Sequence, residues 1–193
     1  MDRTIKIALG SLAFNLVFSA YHLIFGIVSE SWWLLTLGTY YLILSIVRFF
    51  VIVYSKNPNV VKRFTGVMLM ALSLPLVGTV ILSVVRDRGH ELHMIVMIAI
   101  AAYSFTKITL ATINLIKSRR SASAQLITLR NISFADAFVS IFALQRSMLV
   151  SFEGMTASEI QLMNTLLGSA VCVIVFLLGL NLVISNKKRD SLM

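Results

Sequence analysis

Six stretches of about twenty apolar residues, each closed by a polar or charged loop, leave this chain few ways to fold. They cover 6–28, 32–54, 64–85, 94–116, 133–152 and 162–185. A hydrocarbon core about 30 Å thick is crossed by roughly 20 residues of α-helix. In lipid each segment must satisfy its own backbone hydrogen bonds, so the helix is the form each stretch takes. The sequence therefore predicts an all-α polytopic membrane protein, a single six-helix transmembrane bundle over 1–193 with no soluble domain. Only 13% of its residues are charged, about half the share usual in soluble domains. The first stretch follows Met1-Asp2-Arg3 and resembles a signal peptide at its start. It is too long for one and lacks a small-residue cleavage site, so it is expected to remain as span one.

The formal net charge of +9 suggests nucleic acid until its distribution is traced. Basic residues gather at the N-terminus (Arg3, Lys6), between spans two and three (Lys56, Lys62, Arg63), between spans four and five (Lys117, Arg119, Arg120, Arg130) and in the tail (Lys187, Lys188, Arg189). The other connections hold Glu30, Asp87, Glu91, Glu153 and Glu159, with Arg86 and Arg88 as their basic residues. By the positive-inside rule this alternation puts both termini in the cytoplasm, as in the cytoplasmic membrane of a bacterium. The basic loops are then topology signals lying against lipid headgroups, and no nucleic-acid partner is expected. The connection 117–131 is the longest, and its second half has the composition to extend span five.

Three charged residues fall inside the apolar stretches: Arg48, Lys107 and Asp136. Charges in a span are costly and face a partner or a watery cavity rather than lipid. At 1.5 Å per residue, Arg48 lies roughly 9 Å and Lys107 roughly 13 Å from the cytoplasmic ends of their spans, with Asp136 at up to about 9 Å. All three fall in the inner half of the bundle. One account is an ion pair holding helices together; the other is a polar cavity that binds a solute or relays protons. Arg146, near the outer end of span five, is expected to turn its head toward the interface. Asn15 and His22, seven apart in span one, share a helix face. They suit an interhelical hydrogen bond or a share in the same pathway.

The remaining motifs have plainer readings. Trp32 and Trp33 open span two, where indoles anchor a helix at the interface. His90 and His93, with Asp87 and Glu91, are a weak candidate metal group in an outer loop, where a polar turn is the simpler account. Met68, Met70, Met94, Met97 and Met148 read as core filler. Cys172 is the only cysteine; it forms no disulfide within one chain and reads as an apolar thiol. There is no Gly-rich phosphate loop, no His-Glu-x-x-His and no nucleophile with a base beside it, so neither an enzyme nor a cofactor is expected.

Asn15-Leu16, then Gly26-Ile27-Val28-Ser29-Glu30-Ser31, then Ala135-Asp136-Ala137 with Ser140 form a pattern that resembles the transmembrane domain of the cation diffusion facilitator family. The resemblance implies six helices, a homodimer, and transport of divalent ions by Asp and His on the second and fifth helices. The positions it assigns to those ligands carry Leu37 or Tyr40 and Leu44 in span two. In span five they carry Val139 and Ala143, or Asp136 and Ile132 in another register. A Zn²⁺ site needs three or four N, O or S ligands, so the family's site is expected to be lost, along with its usual soluble metal-binding domain. The family places the second, fourth and fifth helices around the ion, which would put Arg48 and Lys107 beside the lost site. Two readings follow: a transporter or sensor of an unidentified solute, centred on Asp136, or a non-transporting scaffold or regulatory subunit whose ion pairs are structural.

Overall fold

A computed structural model describes residues 3–54, 57–85, 94–118, 124–151 and 155–190. The described residues form six helices: α1 Arg3–Val28, α2 Trp32–Val53, α3 Pro58–Val85, α4 Met94–Ser118, α5 Ala124–Ser151 and α6 Ala157–Asp190. Five contain segments long and apolar enough to cross a membrane: Leu9–Val28, Trp32–Val53, Asn59–Leu82, Gln125–Leu149 and Ala157–Ser185. The molecule is thus an all-α protein with the helices of an integral membrane protein. The proposed outer-loop group His90, His93, Asp87 and Glu91 lies outside the described residues.

Helix ends follow local chemistry. Pro58 opens α3, where its missing N–H is one the helix could not have bonded. As a result α3 starts earlier than the apolar stretch alone implies, and Lys62, assigned above to a loop, lies on the helix with its side chain buried. The α5 helix likewise begins at Ala124, extending span five as the composition of that connection allows. Ahead of α6 the Thr156 N–H donates to Glu159 Oε2 at 2.9 Å, and the Glu159 N–H returns to Thr156 Oγ1 at 3.4 Å. This reciprocal pair is a capping box.

Packing follows the hairpins only in part. The α1–α2 and α4–α5 pairs are neighbours in sequence, whereas α3 packs most extensively on α6. Gly66 and Gly179 permit that last contact. A Cβ on either would lie 2.7 Å from the other's carbonyl oxygen. Small residues at a crossing let two helix backbones approach where apolar lipid gives no net push. The core between the helices is built from Leu37, Tyr41, Leu44, Leu69, Leu72, Ile132, Val139, Phe142 and Val175, with Cys172 among them. Outward faces remain apolar, as at Val17, Ile46, Leu74 and Leu166, which suits helices that lipid surrounds.

Candidate functional site

Asp136 lies on the inward face of α5, and the residues around it come from three further helices. Its Oδ2 accepts a hydrogen bond from Arg48 of α2 at 3.2 Å, one from Lys107 of α4, and one from Asn15 of α1 at 2.9 Å. Arg48 and Asp136 are each 1% exposed. The three charges therefore meet, as the residue counts along the helices allow.

Further polar side chains hold these charged groups in place. Asn15 directs its amide N–H at Asp136, and its Oδ1 accepts from Lys107 and from the Tyr103 hydroxyl at 2.9 Å. The other end of the Arg48 guanidinium donates to Ser11 Oγ. Ser140, one turn beyond Asp136, donates its single proton to the Asp136 carbonyl at 2.8 Å. The Tyr41 hydroxyl, 3.1 Å from Ser140 Oγ, must therefore be the donor in that contact. Lys107 also sits 4.8 Å from the Tyr103 ring centroid and 5.5 Å from that of Tyr41, positions where ring faces attract a cation. Phe18 stacks on Tyr103 at 3.6 Å between centroids and closes the α1 side.

Two buried polar atoms at this centre have no hydrogen-bond partner: Asp136 Oδ1 and the Tyr40 hydroxyl. Leaving such a group dry and unpaired costs about 1–3 kcal/mol, more for a charged one. The cluster also carries one excess positive charge, since Arg48 and Lys107 share a single carboxylate. A buried site of this kind attracts a negative ligand and repels a divalent cation.

Among the other residues named from sequence, Asn15 and Ser140 belong to the cluster directly. His22 does not touch Asp136. Its Nδ1–H donates to the Phe18 carbonyl at 2.9 Å, and its ring packs 4.3 Å from that of Phe18. Tyr40 is fully buried in the core. Leu37, Leu44, Ile132, Val139 and Ala143, which stand at the metal positions of the resemblance, are all core residues. No group of three or more His, Cys, Asp or Glu is found among the described residues. Ser11, Tyr41 and Tyr103 belong to the cluster and carry no sequence signal beyond their places on the α1, α2 and α4 faces.

Arg146 corrects the sequence reading. It is 5% exposed rather than turned outward, and its guanidinium lies 4.9 Å from the Trp33 ring centroid. The two tryptophans accordingly divide: Trp32 is exposed, as an anchor is, while Trp33 packs against the core.

The chain matches no family model, no curated protein and no solved structure. The likeness to the cation diffusion facilitators therefore rests on the quoted residues alone, and the geometry carries the functional argument.

Proposed function

We propose that this chain is a six-span transporter of an anionic solute in a bacterial cytoplasmic membrane, with both termini in the cytoplasm and Asp136, Arg48 and Lys107 as its working site. The alternation of basic and acidic connections supports the orientation. The length and apolar character of α4 support a sixth span beside the other five. A homodimer is part of the proposal through the resemblance to the cation diffusion facilitators.

One observation carries the reading: two buried cations, Arg48 and Lys107, share the single carboxylate of Asp136, which leaves one positive charge over. In a low-dielectric surround the excess charge favours a bound anion. It equally disfavours Zn²⁺ or Mn²⁺, for which no ligand set is assembled among the described residues. The second reading, a scaffold with structural ion pairs, draws on the fact that Oδ2 already pairs with both cations.

Proteoliposomes loaded in turn with chloride, nitrate, acetate or phosphate, with the potential clamped, separate the two. The transporter releases at least one of these anions. Its Lys107→Met variant, left with a neutral Arg48–Asp136 pair, loses that release and melts no lower than wild type. Release of none of the four by wild type supports the scaffold, and uptake of Zn²⁺ or Mn²⁺ overturns the assignment of charge.

A further inference from the structure

The helices form an open ring around the Asp136 cluster. Among the described residues, α1 packs extensively on α2 alone and α4 on α5 alone. These two are the ends of the ring, and side chains rather than closely packed backbones join them. Tyr103 of α4 makes the join. Its ring lies parallel to that of Phe18, 3.6 Å between centroids, and nearly parallel to that of Phe14, 5.9 Å away. Its hydroxyl donates to Asn15 Oδ1, which also accepts from Lys107. Phe14 is 60% exposed, whereas Tyr103 is 5% exposed. One ring therefore stands between the outer surface of the bundle and the charged cluster.

Position and shape make Tyr103 a stand-in for a ligand. A phenol ring on a stacking face, its polar tip beside a lysine, has the outline of a flat aromatic molecule with one anionic group. Such a molecule gains the same stacking from Phe18 and Phe14. Its anionic oxygens accept from Lys107 and use the positive charge that Arg48, Lys107 and Asp136 leave over. Tyr41 of α2 adds a further ring, edge-on to Phe18 at 5.7 Å. A bare inorganic anion meets the same charge but has nothing to set against these rings. With no close backbone packing between α1 and α4, Tyr103 can leave its slot without parting two packed helices.

We infer that the anion taken by this site is an aryl monoanion, of the aromatic carboxylate or sulfonate class, which enters between α1 and α4 by displacing the Tyr103 ring. The inference rests on the reading of Arg48, Lys107 and Asp136 as an anion site, and adds the apolar half of the ligand. Tyr103 is the specificity-determining residue: it fills the slot until the ligand takes its place.

Benzenesulfonate and methanesulfonate separate the two halves, since both stay ionised and only one carries a ring. In calorimetric titration of the purified protein, with detergent alone as the blank, benzenesulfonate should bind about tenfold more tightly, as stacking on one or two rings provides. Lys107→Met should abolish that binding. Tyr103→Ala removes the internal competitor and should bind benzenesulfonate more tightly than wild type does. Phe18→Ala should narrow the gap between the two sulfonates. Equal binding of the two by wild type overturns the aryl class and leaves the anion site in place. Binding of neither overturns the anion site as well. Benzenesulfonate binding that survives Lys107→Met lies elsewhere on the apolar surface and overturns the assignment. So does weaker binding by Tyr103→Ala, which would make Tyr103 a fixed wall of the site. Should the Tyr103 or Phe18 variant fail to fold, the wild-type comparison together with Lys107→Met still decides the matter.

Discussion

At Asp136 a single side chain balances charges from two other helices. Removing its charge leaves Arg48 and Lys107 buried together with no anion. Breaking a buried pair from one side costs about 3–5 kcal/mol, far more than replacing the pair whole. Asp136→Asn is therefore expected to lower the thermal midpoint sharply in detergent. Adding Lys107→Met to it should restore much of the loss, because one of the two stranded cations goes with it. Equal melting of the single and double variants would mean that Lys107 does not depend on Asp136 for its charge balance. The counting of turns that put these three residues within reach of one another needed only sequence. That Asn15 would bridge Asp136, Lys107 and Tyr103 needed the rotation of α1 against α4, which no local pattern encodes.

The contact of α3 with α6 tests the balance between closeness and bulk. Gly66→Ala drives a methyl to within 2.7 Å of the Gly179 carbonyl, and overpacking of this kind costs about 1–3 kcal/mol. Gly78→Ala on the same helix meets nothing within 4 Å and gains up to about 1 kcal/mol of helix propensity. Thermal melting of the two variants should move in opposite directions. A shared direction would show that α3 and α6 are not in backbone contact at Gly66. Helix existence was legible because insertion depends on runs of apolar residues. Helix faces were less so. The α5 helix is flanked by α4, α6, α3 and α2 and shows no single apolar stripe, so Arg146 gave no sign that it points inward.

For the whole molecule, orientation follows from where positive charge is retained. With Cys172→Ser removing the native thiol, Asn57→Cys and Ser158→Cys place single cysteines at exposed positions beside α3 and at the start of α6. A membrane-impermeant maleimide applied to intact cells should label position 158 and reach position 57 only after permeabilisation. The reverse pattern would invert the topology.

Sequence alone determined that this is a helical bundle with segments long and apolar enough to cross a membrane, and that Arg48, Lys107 and Asp136 fall within reach of one another along their helices. Both follow from quantities that add along the chain: apolar transfer and helix rise. The tertiary structure decided which faces meet. It joined Asn15 to Asp136 across 121 residues and turned Arg146 onto Trp33. It also left Asn164 buried without a partner. These outcomes depend on how six cylinders rotate against one another. That rotation is set by interlocking side chains from distant segments, and only the assembled bundle contains it.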